Sequence, residues 1–200
     1  MAQVHFTYGA MGSGKSLNVM NMANELTRHG LDFTLAKPAV DTKADRAIRS
    51  RLLPDDMMVD ILVGQEQNIR ELIKQEMGRR GLDTLVRVLV DEAQFLEPDQ
   101  VDQLLDVALI DEIEVRAFGL KTDFQTNFFP GSRRLFEIAH QMTELETTCR
   151  CGGYATNNTR KVNGVFVFSG SQVAIDGEDV QYEALCRKCY STERGAAGAA

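Results

Sequence analysis

Apolar and polar positions repeat with two different periods along the first part of the chain. Short apolar runs, typical of buried strands, cover 4–8, 31–38, 85–90 and 114–120. Between and after them, apolar residues recur with helical spacing over 16–30, 66–81, 97–112 and 131–142. Strands that alternate with helices predict a parallel sheet covered by helices on both faces. The expected fold class is therefore α/β.

Two further segments lack helical spacing. The highly charged segment 39–56 predicts a long, mobile loop. From about residue 147 the chain contains cysteines and an Asn163–Gly164 turn between "RKV" and "VFVF", which predict a small antiparallel unit. We therefore expect a nucleotide-binding domain over 1–146, a second domain over 147–190 and a disordered tail over 191–200.

Charge and composition narrow the function. The 200 residues carry a net charge of −7, which disfavours a general nucleic-acid or anionic-membrane surface. No apolar run reaches the roughly 18 residues that cross a bilayer, and the first strand leaves no room for a signal peptide. We expect a cytoplasmic protein without nucleic-acid or membrane partners. Its four cysteines would then be thiols or metal ligands, not disulfides.

The segment "GAMGSGKS" matches G-x-x-x-x-G-K-[ST] between a predicted strand and a predicted helix. In that setting, backbone N–H groups and the helix N-terminus bind phosphate oxygens, the lysine reaches the β- and γ-phosphates, and the serine hydroxyl binds Mg²⁺. A chance match in a glycine-containing turn is the alternative. The predicted nucleotide phosphate site comprises Gly9, Ala10, Met11, Gly12, Ser13, Gly14, Lys15 and Ser16.

Two acids follow the apolar run 85–90, at the carboxyl end of a predicted strand, where open α/β sheets bind ligands. Asp91 is suited to hold Mg²⁺ through its bound waters. Glu92 can act as a general base on water or on a substrate hydroxyl. Without the phosphate loop upstream, the pair would equally fit an acidic turn between a strand and a helix. Gln94 completes the predicted ATP site.

The cysteines form two close pairs. Cys149 and Cys151 make a C-x-C pair, and Cys186 and Cys189 make a C-x-x-C pair across the predicted hairpin. Two such pairs predict a tetrahedral Cys₄ zinc site, with buried free thiols as the alternative. Because four thiolates leave no position for water, the zinc would be structural.

These motifs, in this order and over 4–190, resemble the type II (cellular and bacterial) thymidine kinases. The resemblance implies a P-loop NTPase-like sheet flanked by helices, with a small zinc-ribbon-like domain that carries a substrate-closing loop, the lasso. It also implies phosphate transfer from ATP, with Mg²⁺, to thymidine, and a homotetramer inhibited by dTTP. "DEAQF" resembles the family's acidic motif, in which Glu92 would take the proton of the nucleoside 5′-hydroxyl.

The resemblance also implies the nucleoside contacts. "GLKTDF" and "YEALCRKCY" resemble stretches that line the thymine pocket and end the lasso. The implied contacts are Phe95, Leu120, Phe124, Phe129, Val173, Ile175, Gly177 and Tyr182. Lys43 stands where the family usually has arginine, and Asp176 where it prefers glycine, in a lasso one residue longer before Tyr182.

Independently of the resemblance, the residues support phosphoryl transfer to an alcohol, without identifying the alcohol. Two other functions remain open from the residues. In a P-loop ATPase or motor, Glu92 would activate water. In a nucleotide-regulated zinc-ribbon binding module, ATP would bind without turnover.

Overall fold

The computed structural model describes residues 1–39, 46–50, 55–172 and 179–198. Its strands are β1 (Val4–Gly9), β2 (Phe33–Pro38), β3 (Ala47–Ile48), β4 (Met57–Met58), β5 (Ile61–Val63), β6 (Arg87–Val90), β7 (Glu114–Gly119), β8 (Gln141–Leu145), β9 (Asn157–Val162), β10 (Val165–Val167) and β11 (Val180–Leu185). Its helices are α1 (Lys15–Arg28), α2 (Ile69–Arg80), α3 (Pro98–Leu109), α4 (Pro130–Ile138) and α5 (Arg187–Gly198), with a 3₁₀ turn at Ala93–Phe95.

Six strands form one sheet in the order β5-β2-β6-β7-β1-β8. Every neighbouring pair in it is parallel, so the carboxyl ends of all six strands lie along one edge. The predicted α/β fold is thereby confirmed. The edge brings together the residues that follow β1, β6 and β7, which include most of the predicted site.

Each face of the sheet has its own apolar core. On one face, Phe6 and Val90 pack against residues of α3 and α4, including Leu104 and Leu135. On the other face, Leu89 and Phe118 pack against the apolar positions of α1, which recur every three or four residues. β6 and β7 are therefore buried from both sides, which explains their nearly continuous apolar sequence.

Local sequence signals mark both ends of α2 and the start of α3. The Asn68 side chain accepts a hydrogen bond from Glu71 N over 3.0 Å and caps α2. Gly81, predicted to stop that helix, has φ 67 and is in the left-handed conformation typical of a helix C-cap. At α3, Glu97 and Gln100 form a capping box, and Pro98 occupies the first turn.

The C-terminal residues form a separate antiparallel sheet in the order β10-β9-β11. Asn163 and Gly164 connect β9 to β10 with φ 50 and 79, the geometry of a type I′ hairpin turn. The predicted antiparallel unit and its turn are confirmed. The predicted disordered tail is wrong for 191–198, which continue α5; Tyr190 anchors that helix because its ring is buried.

Other sequence-based boundaries also change. The helix predicted over 131–142 ends at Ile138, and the chain then forms β8, whose backbone pairs with β1 although four of its five side chains are exposed. β3 lies within the segment 39–56 that was predicted as a loop, and it pairs with β4, just after that segment, as a short antiparallel ladder. β5 joins the main sheet without having been predicted. Among the described residues, no helix is long and apolar enough to cross a membrane.

Candidate active site

The phosphate loop, residues 9–16, connects β1 to α1 at the carboxyl edge of the sheet. Gly12 and Gly14 have φ 81 and 84, a conformation that residues with a side chain rarely adopt. Gly9 is needed for space, since a Cβ there would lie 2.6 Å from the carbonyl oxygen of Leu145 in β8. These glycines therefore let the loop curl tightly between β1 and α1.

Lys15 is buried at the start of α1. Its Nζ donates to the carbonyl oxygens of Gly9 at 3.1 Å and Ala10 at 2.9 Å. Desolvation by burial lowers the pKa of Lys15, while the carboxylates of Glu92 and Asp91 act to raise it. The ammonium group is thus held inside the loop, facing the two acids.

Asp91 lies beneath the loop at the end of β6, where Ser16 Oγ donates to Asp91 Oδ2 over 3.3 Å. Burial, followed by the neighbouring charge of Glu92, raises the pKa of Asp91 to about 7. A hydroxyl and a carboxylate so close together offer the oxygen ligands that Mg²⁺ prefers. These two residues therefore fit a magnesium ion.

Glu92 has φ 52, in the left-handed region, at the sharp turn from β6 into the 3₁₀ segment. Its Oε2 accepts a hydrogen bond from Gln94 Nε2 at 2.5 Å. Gln94 is buried, and its Oε1 accepts from the backbone N–H of Leu120 at 3.0 Å. A Cβ at Gly119 would come within 2.8 Å of the same Oε1, so the glycine makes room for this amide.

A cavity of about 220 Å³ opens between these elements. Its lining includes Met11, Gly12, Gly14, Lys15 and Ser16 of the phosphate loop, together with Glu92 and Leu120. Arg49 and Ser50, which the sequence analysis did not single out, line it as well. The predicted phosphate loop, the predicted base and one predicted nucleoside contact thus share one space.

The predicted aromatic contacts fall into two groups. Phe95 and Phe129 pack edge to face at 5.3 Å and line a second cavity of about 350 Å³, together with Gln94 and Gln172. Phe124 is buried beneath the guanidinium group of Arg160, which lies 3.7 Å from the ring centroid. Tyr182 is 37% exposed, with its ring 5.9 Å from the same guanidinium group. Lys43, Val173, Ile175, Asp176 and Gly177 lie outside the described residues.

The four cysteines form a single cluster. The Sγ atoms of Cys149, Cys151, Cys186 and Cys189 all lie within 4.8 Å of one another. Cys151 and Cys186 are 3.6 Å apart, and thiolates about 2.3 Å from a tetrahedral ion are separated by about 3.8 Å. The geometry of the cluster fits a bound metal ion.

Comparison with known proteins decides the family. The model of the family described as thymidine kinase matches residues 2–190. The thymidine kinase of Novosphingobium aromaticivorans is 39% identical over 199 residues, spanning 98% of this chain and 100% of the relative. That of Idiomarina loihiensis is 35% identical over 197 residues, spanning 98% and 99%. The chain belongs to the thymidine kinase family. The resemblance inferred from the sequence motifs is confirmed.

In this thymidine kinase family member, the sequence analysis missed several polar residues around the cavities. Asp123 is buried: its Oδ1 accepts from the N–H groups of Gln125 and Asn127, and its Oδ2 accepts from Gln172 Nε2 at 3.0 Å. Asp123 lies inside "GLKTDF", so the motif that identified Leu120 and Phe124 was also a signal for this acid.

Two residues of β9 were also missed. Arg160 Nη2 donates to the carbonyl oxygens of Ser171 at 2.6 Å and Gln172 at 3.0 Å. Asn158 contacts the phosphate loop through Met11 N. The signal for Asn158 was its residue type, because asparagine is depleted in strands and here two follow in succession.

Proposed function

We propose that this thymidine kinase family member transfers the γ-phosphate of ATP to the 5′-hydroxyl of thymidine and so forms dTMP. The observation that carries the proposal is the cavity of about 220 Å³ that Lys15, Glu92 and Leu120 line together. A phosphate donor bound at the loop and an alcohol beside Glu92 would meet in this space. Holding both reactants in line supplies much of the rate enhancement of phosphoryl transfer.

For the donor, we propose that the N–H groups of the phosphate loop and the Lys15 ammonium bind the phosphates of ATP. Lys15 would exchange its bonds to the carbonyl oxygens of Gly9 and Ala10 for phosphate oxygens. Ser16 and Asp91 would hold Mg²⁺, which neutralises phosphate charge when bound. Gln94 would contribute indirectly, because its side-chain amide fixes the orientation of the Glu92 carboxylate. The proposed donor site comprises Gly9, Ala10, Met11, Gly12, Ser13, Gly14, Lys15, Ser16, Asp91 and Gln94.

For the acceptor, we propose that Glu92 takes the proton of the 5′-hydroxyl as its oxygen attacks the γ-phosphorus. The hydrogen bond from Gln94 keeps the carboxylate oriented without occupying its second oxygen. The base of thymidine would lie among Phe95, Leu120, Phe124, Phe129 and Tyr182. Contacts from Val173, Ile175 and Gly177 of the lasso remain part of the proposal.

For the cysteine cluster, we propose a structural zinc ion. Four soft thiolate ligands favour zinc over the harder divalent cations. The ion would join the loop between β8 and β9, at Cys149, to the first turn of α5, at Cys189. These two sites lie before and after the hairpin in the chain. A homotetramer and inhibition by dTTP also remain predictions from the resemblance, and a cytoplasmic location remains a prediction from the sequence composition.

The experiment that tests the reaction is transfer of γ-labelled phosphate from Mg-ATP to a panel of nucleosides. We expect label on thymidine, and almost no ATP consumption when the nucleoside is left out. Equal ATP consumption with and without thymidine would instead identify an ATPase in which Glu92 activates water. ATP binding without any turnover would identify a binding module.

A further inference from the structure

Asn158 joins three separate segments of the chain. It lies in β9 of the C-terminal sheet and is 4% exposed. Its Oδ1 accepts a hydrogen bond from Met11 N, in the phosphate loop, at 2.8 Å. Its Nδ2 donates to the carbonyl oxygen of Thr122, in the segment after β7, at 2.9 Å. Both ends of the amide are used, so its orientation is fixed by its partners.

The two partners belong to the two sides of the proposed reaction. Met11 lies in the middle of the phosphate loop and lines the cavity with Lys15. Thr122 lies between Leu120 and Phe124, two of the proposed nucleoside contacts. The Asn158 amide therefore spans the distance between the donor side and the acceptor side.

Apart from the bond of Ser16 Oγ to Asp91 Oδ2, the other side-chain hydrogen bonds described for the loop come from within it. Ser13 N donates to Ala10 O at 3.2 Å, and Lys15 Nζ donates to Gly9 O and Ala10 O. The bonds of Lys15 would be given up when phosphates bind, whereas Met11 N is already bound to Asn158 and would leave the phosphates to the other N–H groups of the loop. Asn158 can therefore hold the loop both with and without nucleotide.

We propose that Asn158 is a positioning residue, through which the C-terminal sheet holds the phosphate loop in register with the nucleoside side of the site. The inference rests on the proposed kinase function. Loss of a buried hydrogen-bond partner leaves Met11 N and Thr122 O unsatisfied, and small misplacements of reacting groups reduce the rate of an in-line transfer strongly. Asn158 touches neither reacting atom and acts through the backbone.

The test compares Asn158→Ala with Asn157→Ala. Asn157 is the neighbouring buried asparagine of β9, and its Oδ1 accepts a local hydrogen bond from Thr156 Oγ1 at 2.9 Å. For Asn158→Ala we expect a KM for ATP about tenfold higher, a kcat about tenfold lower, and faster hydrogen exchange in residues 9–16. Asn157→Ala should leave KM and loop exchange near the wild-type values, and both variants should keep the metal content.

Unchanged KM for ATP and unchanged exchange in the loop of Asn158→Ala would overturn the inference. If the wild-type chain transfers no phosphate, the proposed function fails, and hydrogen exchange still tests the role of Asn158. If Asn158→Ala does not fold, Asn158→Asp keeps the shape of the side chain but turns an oxygen toward the Thr122 carbonyl. Repulsion should then open that contact and still raise the KM for ATP, and a normal KM would contradict the proposal.

Discussion

The side-chain amide of Gln94 donates to Glu92 Oε2 over 2.5 Å and fixes the orientation of that carboxylate. Gln94 is itself held, because its Oε1 accepts the backbone N–H of Leu120 and its side chain is only 1% exposed. A buried neutral amide thus determines where the half-buried carboxylate of Glu92 points. The proton acceptor proposed here is therefore positioned before any substrate binds.

Glu92→Gln should lower kcat by about 10²–10⁴, because an amide cannot accept the proton of the 5′-hydroxyl at neutral pH. The substituted amide retains an oxygen that can accept from Gln94, so the local structure should persist. The measurement is steady-state transfer to thymidine, with ATP affinity from calorimetry as the control. A variant with near-normal turnover would remove Glu92 from the role of base.

Lys15→Ala should weaken ATP binding by about tenfold or more, because a charge-assisted contact to the phosphates is lost. Thymidine binding measured without ATP should change little. Calorimetric titrations of each ligand into wild type and variant separate the two effects. An unchanged affinity for ATP would mean that the phosphates bind elsewhere.

The stability of the metal-free protein should depend on pH through Asp91. Its pKa of about 7 in the folded chain lies above the value of about 3.9 expected when unfolded. Between these values the folded chain holds the extra proton, so its free energy of unfolding falls as pH rises toward 7. Asp91→Asn should remove this contribution.

The measurement is the thermal midpoint in chelator, from about pH 5 to about pH 8, for wild type and Asp91→Asn. The carboxyl groups of Glu76, Asp111 and Glu114 have lowered pKa values, so their contribution to stability changes mainly below this pH range, and they are common to both proteins. The difference between the two curves therefore isolates Asp91. Parallel curves would contradict the raised pKa.

Cys186→Ser should lower the metal content from about one zinc per chain, because a thiolate ligand is replaced by a hydroxyl. Thymidine affinity should fall more than ATP affinity, since the cluster fixes both ends of the segment proposed to cover the nucleoside. Lys188→Ala, an exposed change between two cysteines, is the control for metal content. An equal loss of affinity for thymidine and for ATP would contradict the proposed role of the cluster. Full kinase activity in a metal-free preparation would contradict it as well.

Much of the main sheet could be predicted because its central strands and covering helices bury apolar faces. β8 could not, since "QMTEL" is mostly exposed and is stabilised by backbone pairing with β1. β5 has only three residues, too few to show a period. α5 was missed because its glycines, serine and threonine resemble a tail, whereas its first turn is anchored by buried Tyr190.

The motifs located Lys15, Ser16, Asp91 and Glu92 because their chemistry depends on spacing within short segments. Asn158 could not be found in this way, since its partners lie 147 and 36 residues away along the chain. Such contacts arise only when the C-terminal sheet packs against the main sheet. The sequence therefore predicts the reacting groups better than the residues that position them.

The strand order also bears on how the chain folds. β1 pairs with β7 and β8, and His5 and its neighbour Arg116 are 111 residues apart in sequence. Pairings this distant form slowly, because a long stretch of chain must be ordered before they are stabilised. The phosphate loop, although encoded first, then acquires its shape among the last parts of the molecule. Bound nucleotide should consequently slow unfolding while leaving the rate of folding almost unchanged.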